Sequence, residues 1–189
     1  MRLKIIASGL ALVVLATGLA GADDTPDQER DKTRKMAAET LQQLYKLQPQ
    51  SKAAIQKSAG YAVFNNTGVN LLLSTARGAG IAVDSKTKQE TFMKMGSVGA
   101  GLGVGVKNYR VIFVFENTDA LSKFLDSGWS GSAQTDAAAK AGDKGGAFSG
   151  AQEMAPGVWV YQITKNGLAL QITLQGTKYY KDDDLNKKS

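Results

Sequence analysis

The chain of 189 residues contains no cysteine and no histidine, and only three prolines. Without cysteine there is no thiolate nucleophile, disulfide, iron–sulfur cluster or thiolate zinc site. Without histidine there is no Ser-His-Asp triad, no imidazole base near neutral pH and no usual ligand for a transition metal. An enzyme built from this chain would have to work with carboxylates, Lys, Tyr or an all-oxygen metal site. A strong excess of one charge is also missing: 23 Lys and Arg stand against 17 Asp and Glu. That balance suits weak attraction to anionic head groups and is far from the footprint of a nucleic-acid binder.

The N-terminus reads as an export signal. Arg2 and Lys4 form a basic start, residues 5–19 are mostly apolar and carry no charge, and Ala20-Gly21-Ala22 supplies a small-x-small cleavage site before Asp23-Asp24. The apolar stretch is short of the roughly 20 residues that a spanning helix needs. Cleavage after Ala22 would leave one domain over 23–189, and losing Arg2 and Lys4 lowers the formal charge from +6 by two, to +4. Leu19-Ala20-Gly21 is also the run that precedes the lipidated cysteine of bacterial lipoproteins, but position 22 is Ala, so acylation there is excluded. The expected location is periplasmic or secreted, or peripheral on the outer membrane.

Thr25-Pro26 with Gln28 forms a capping-box start, and Met36, Ala37, Leu41, Leu44, Tyr45 and Leu47 recur at helical spacing up to Pro49. The opposite face carries Glu29, Arg30, Lys32, Arg34, Lys35 and Glu39. This amphipathic helix either covers a sheet or touches a membrane surface. A short second helix is expected over 50–58. Strands follow at 61–64, 69–74, 78–83 and 90–95, with a polar turn at 84–88. Residues 109–115 read as a central strand, apolar on both faces after Arg110. Asn117 or Thr118 caps a helix over 120–125. Lys165-Asn166-Gly167 turns a hairpin whose second strand places Leu168, Leu170, Ile172 and Leu174 on one face, and the charged tail from 181 to 189 is expected to fray.

The most informative run is residues 96–106. Gly99, Gly101, Gly103 and Gly105 recur with a period of two, so on one strand they would share a bare face opposite Ala100, Leu102, Val104 and Val106. Four glycines weaken a strand and imply that something else needs the space. That occupant is a second layer or an aromatic ring on bare backbone, or an elongated apolar ligand; strand bending at a corner is the third reading. Neither a nucleotide loop nor a membrane Gly-x-x-x-Gly helix fits, because the spacing suits a strand and Lys107-Asn108 ends the segment.

Matches to catalytic patterns are thin. Ser85-Lys86-Thr87-Lys88 fits Ser-x-x-Lys in form, but in an exposed turn and without partner motifs. Asp182-Asp183-Asp184 lacks the spacing of a calcium loop and reads as a solvated charge run. No catalytic residue, metal site or cofactor is expected.

Taken in order, Ala59-Gly60-Tyr61-Ala62-Val63-Phe64, Gly78-Ala79-Gly80, the glycine run, residues 111–115, Asp119-Ala120-Leu121 with Phe124-Leu125, Lys165-Asn166-Gly167-Leu168, Gln175-Gly176 and the close from Asp182 to Asn186 resemble the SYLF domain family of lipid-binding proteins. The resemblance spans residues 35–186. It departs where the family has Lys-Gly-Leu and this chain Asn-Gly-Leu, and where the tail lacks a terminal Tyr-Gly. Eukaryotic members bind phosphoinositides and some bind actin; the latter does not suit an exported chain.

The expected fold is α+β in a single domain. It has a mostly antiparallel, twisted or barrel-like sheet with the N-terminal amphipathic helix and further short helices packed on it. The resemblance implies a non-enzymatic protein that meets phospholipid or a membrane surface and no nucleic acid. The glycine face (Gly99, Gly101, Gly103, Gly105), the aromatics Trp129, Phe148 and Trp159, and the cations Lys32, Arg34 and Lys35 are the candidate lipid contacts. The competing reading is an interaction protein of the cell envelope that docks a protein partner.

Overall fold

Thr25 opens the first helix as the sequence expects: its hydroxyl accepts from the Gln28 amide, and the Gln28 side chain accepts from the Thr25 amide at 2.9 Å. In the computed structural model, which describes residues 24–70, 73–100, 105–131, 148–169, 172, 174 and 176–187, this helix is α1 (Pro26–Leu47). After Pro49, α2 (Gln50–Lys57) follows, and four long strands come next: β1 (Gly60–Asn70), β2 (Leu73–Asp84), β3 (Glu90–Ala100) and β4 (Gly105–Phe115). Asn117 caps α3 (Thr118–Ser127) by accepting from the Ala120 amide at 2.9 Å. The short strands β5 (Trp129–Ser130), β6 (Gln152–Ala155), β7 (Val158–Thr164), β8 (Gly167–Leu168) and β9 (Thr177–Lys181) lead to α4 (Asp183–Asn186).

All pairings are antiparallel, in the order β5-β9-β3-β2-β1-β4-β7-β6, with β8 beside β7. Three contacts show that this sheet curls. Tyr179 on β9 lies three strands from Phe64 on β1 and four from Phe113 on β4. In a flat sheet that is about 14 and 19 Å, yet the ring centroids are 4.6 and 4.8 Å apart. Trp129 on β5, farther still along the sheet, reaches Phe113 at 5.8 Å. The result is an α+β domain with a half-barrel sheet, the class that the sequence indicated.

The alternation of each strand then sorts side chains into two cores. Ala62, Phe64, Met93, Met95, Val111, Phe113, Phe115, Val160 and Tyr179 fill the inside of the curl, closed by Leu121 and Phe124 of α3. Val63, Ile81, Phe92, Ile112, Val114, Trp159, Tyr161 and Ile163 form the outer face, covered by Ala37 and Leu44 of α1 and Ile55 of α2. Residues 111–115 are completely buried, as expected of a central strand packed on both faces. Gly80, opposite Phe64, has a structural reason: an added Cβ would overlap the Phe64 ring.

Several expectations are corrected. Runs 61–64 and 69–74 are not separate short strands, because β1 runs straight through Asn65-Asn66-Thr67. Asparagine is poor in strands, but these residues are paired on both sides, by β2 and β4. The glycine run is not one strand. Gly99 sits near the end of β3 and Gly105 opens β4, and the β1–β2 hairpin lies between them, so the two positions are three strands apart in the sheet. Periodicity reports face and says nothing of which neighbour a strand takes. Leu168 packs on the outer core, whereas Ile172 and Leu174 belong to the inner one, so this hairpin does not present one continuous face; Leu170 lies outside the described residues.

The tail is docked as far as Lys187. Asp182 is 4% exposed and caps α4 through the Asp184 and Leu185 amides, with Lys94 Nζ at 2.9 Å. Asn186 pairs with the Phe92 backbone twice, donating to its carbonyl at 2.7 Å and accepting from its amide at 2.9 Å. Arg30 of α1 donates to the Leu185 and Lys187 carbonyls at 2.9 Å. Asp182 is thus a buried helix cap and Asn186 a strand-edge clamp, while Asp183 and Asp184 are exposed, as a solvated charge run would be.

Tyr161 carries a pH prediction. Its hydroxyl is buried with no hydrogen-bond partner among the described residues, and burial pushes its pKa up to about 12. A raised phenol pKa means that the folded state holds the proton more tightly. The stability is therefore complete below pH 10 and is lost as pH climbs through 12. Tyr161→Phe is expected to leave stability at pH 7 unchanged or slightly higher and to reduce the loss between pH 10 and 12. Urea unfolding at pH 7 and pH 11 checks this; a loss above about 1 kcal/mol at pH 7 would mean that the hydroxyl has a partner.

Candidate functional site

The candidate lipid contacts do not converge. Trp129 is half-buried on the inner side, opposite Tyr179 on β9. Trp159 is fully buried in the outer core, and Phe148 stacks on it at 4.7 Å with an interplanar angle of 3°. The three aromatics therefore lie on opposite faces of one sheet, two of them in a single stack. A cleft of about 470 Å³ runs between α2 and Phe148, lined by Ala53, Ala54, Lys57 and Glu116.

The cations sit on α1. Lys32 pairs with Asp24 at 2.5 Å. Arg34 meets Glu90 at 2.8 Å and Asp31 at 2.9 Å, and its guanidinium lies 5.3 Å from the centre of the Phe92 ring. The Glu90 hydrogen bond raises the Arg34 pKa, against a smaller opposing effect of desolvation. Lys35 is exposed. The apolar stripe of α1 is spent on the sheet: Thr33, Ala37, Thr40 and Leu44 are buried, and the Thr40 hydroxyl accepts from Arg110 of β4 at 2.9 Å. Covering the sheet is the reading of this helix that the packing supports. Among the described residues no helix is long and apolar enough to cross a membrane.

Of the glycine face, Gly101 and Gly103 lie outside the described residues. Gly99 pairs with Ser74 and Gly105 with Asn70, both on the row of positions that continues the inner face. Moving along the strands toward this end, the inner-face positions are Ser97, Ala76, Gly68 and Lys107, then Gly99, Ser74, Asn70 and Gly105. Bulky apolar residues are absent from both rows, whereas the inner face nearer α3 is filled by aromatic rings.

Between the two lies one row that sequence reading missed. Tyr109, Asn66, Gly78, Met95, Tyr179 and Trp129 follow one another across six strands in cross-strand register. Asn66 and Tyr179 are 0% exposed, and neither end of the Asn66 amide nor the Tyr179 hydroxyl has a hydrogen-bond partner among the described residues. Burial raises the pKa of Tyr179 well above the ordinary phenol value and also raises that of Tyr109; a hydrogen-bonding approach of the Asn66 amide to each phenol opposes both shifts, although its geometry falls short of a full hydrogen bond. The signal available in the sequence was Asn65-Asn66 inside a strand-like stretch, which reads more naturally as a break than as a paired strand. Among the described residues no group of three or more acidic, His or Cys side chains is placed to hold a metal ion.

The chain is 33% identical over 167 residues to "Beta cell expansion factor A" of Aeromonas veronii, covering 87% of this chain and 62% of the relative, so it spans less than two thirds of that protein's length. Residues 96–189 match the family model described as "Ysc84: Las17-binding protein actin regulator". From the end of β3 through the docked tail, residues 96–189 carry a domain of the Ysc84 (SYLF) family.

Proposed function

We propose that this chain is a non-enzymatic, exported lipid-binding protein that engages anionic phospholipids or their acyl chains at the cell envelope. The observation that carries the reading is the half-barrel: its inner face passes from an aromatic core to register positions with small side chains, Gly68, Ala76, Ser97, Gly99 and Gly105. Residue types without bulk leave a strand surface that an elongated apolar ligand has the shape to cover. Lys32 and Lys35 on the exposed side of α1 supply weak attraction to anionic head groups, each worth about 1 kcal/mol at a membrane surface. Export rests on the basic, apolar and small-residue pattern of residues 1–22.

Sedimentation of the chain lacking residues 1–22 with vesicles of graded anionic content, together with mass spectrometry of co-purified lipid, tests the proposal. Binding that rises with anionic content or a reproducibly retained lipid supports it. No sedimentation with any composition and no retained lipid would sink it.

A second reading has one specific support: the matching family model is described by a protein partner, Las17. On that reading the half-barrel end docks an envelope protein. Lipid-free material together with one stoichiometric partner in a cross-linked pull-down would favour it.

A further inference from the structure

The helices cover only part of the outer face of the sheet. Val63, Ile81, Ile112 and Val114 lie beneath α1 and α2. Farther along the strands two cross-strand rows follow on the same face, Arg110–Asn65–Ala79–Lys94–Tyr180 and Asn108–Thr67–Arg77–Gly96–Lys178. Apart from the half-buried Arg110, Lys94 and Gly96, every member of these rows is exposed. A Cβ added to Gly96 would meet no atom within 4 Å, so nothing lies over the strand there.

The two rows contain four cations and no carboxylate. Lys94 is matched from outside them, by the buried Asp182 at 2.9 Å and by Asp184 at 3.9 Å. Arg77, Arg110 and Lys178 have no carboxylate partner among the described residues. The arginines divide by location. Arg30 and Arg34 of α1 meet carboxylates, whereas Arg77 and Arg110, both on this face, do not. Arg110 is held by a neutral group instead: the buried Thr40 hydroxyl accepts from it at 2.9 Å while donating to the Met36 carbonyl at 2.7 Å. A guanidinium offers five donors, and those not taken by Thr40 have no partner among the described residues.

We propose that this open part of the outer face is the surface by which the chain seats on an anionic membrane, with Arg77, Arg110 and Lys178 meeting lipid phosphates and Tyr180 lying at the level of the head groups. The inference rests on the lipid-binding reading and names the docking surface for it. Charge sets the sign of the partner, since a planar guanidinium fork and an ammonium with no internal counter-ion both favour phosphate oxygens. Spread sets its extent. The three cations stand on alternate strands, β4, β2 and β9, so one soluble phosphate would meet only some of them, while a bilayer presents phosphates across the whole face. Tyr180, 41% exposed, adds an aromatic ring with a polar tip, the kind of side chain enriched at membrane–water interfaces. The cations of α1 contribute less, because Lys32 and Arg34 are already paired with carboxylates.

The test is sedimentation of the chain lacking residues 1–22 with phosphatidylcholine vesicles, with and without phosphatidylglycerol. Arg77→Gln and Lys178→Gln are each expected to weaken binding to the anionic vesicles about 5-fold, and together about 25-fold, as the loss of one and two cations at an anionic surface would. Both positions are exposed, so the melting temperature should not move. Arg77→Lys combined with Lys178→Arg keeps the charge and should bind as the wild type does. Lys86→Gln combined with Lys123→Gln removes the same charge from exposed positions elsewhere, in the turn after β2 and on α3, and should change binding less than about 2-fold, because charges beyond a screening length of about 8 Å count for little. Equal losses in the face variant and this control would overturn the proposal, since net charge would then suffice. Calorimetry with inorganic phosphate and with polyglutamate covers other occupants. Binding of either that depends on Arg77 and Lys178, without the loss on vesicles, would make the face an anion site or a protein-docking surface and overturn the membrane assignment. Vesicle binding retained by the double variant overturns this inference alone; no sedimentation of the wild type with any composition, and no retained lipid, overturns the lipid reading itself.

Discussion

Phe113→Ala is expected to destabilise the fold by about 3–5 kcal/mol, the range for emptying a buried aromatic site. The ring is completely buried at the centre of β4 and meets Phe64, Phe115, Phe124, Trp129 and Tyr179, with centroids 4.8 to 6.3 Å apart. Phe115 lies on β4 itself and the other four partners come from β1, β9, β5 and α3, so one truncation loosens the contacts that hold the β5–β9 end of the sheet curled over its middle. Because those neighbours belong to a sheet paired along its length, they cannot collapse into the gap, which places the cost toward the upper end. Thermal unfolding followed by circular dichroism should show a fall of about 10 °C or more. A shift below about 2 °C would mean that the half-barrel is held by something other than this cluster.

Trp159→Ala is expected to cost a similar 3–5 kcal/mol and to leave lipid binding per folded molecule unchanged. Trp159 lies on β7, 0% exposed, beneath the stacked Phe148 ring, and its indole N–H has no partner among the described residues. Its contribution is therefore packing between the sheet and its outer cover. Phe148 is half-buried, so Phe148→Ala removes less buried area and should cost less than half as much. Denaturant unfolding of both variants, with vesicle sedimentation at a temperature where each is folded, separates the two roles. If Trp159→Ala abolished vesicle binding at unchanged stability, the indole would be a lipid contact and the packing assignment would fail.

Particular residues show how far local pattern carried. The Thr25-Pro26-x-Gln28 start, the Asn117 cap and the apolar block 111–115 were legible because each is a local rule: a cap satisfies nearby amides, and a doubly buried strand has no polar face. Asn65-Asn66 misled for the same reason. Local propensity marks a break there, while two flanking strands supply the pairing that overrides it. The acidic tail misled because a carboxylate run is solvated by default; only the arrival of Lys94 and the β3 edge makes Asp182 a buried cap.

The candidate site divides the same way. Alternation of glycine with small apolar residues indicated a bare face within residues 96–106, and Gly99 and Gly105 do occupy positions continuing one face of the sheet. What alternation could not supply was that β1 and β2 lie between those two positions, or that Tyr179 folds over Asn66 from three strands away.

The missing histidines and cysteines, the helix caps, the alternating strands and the family were determined by the sequence alone, since each depends on composition or on neighbours a few residues apart. The tertiary structure decided the order of strands, the curl that splits the apolar residues into inner and outer cores, and the meeting of Tyr109, Asn66 and Tyr179. Those depend on pairings between residues as far apart in the chain as Met93 and Lys181, and the period of a strand is the same whichever neighbour it takes.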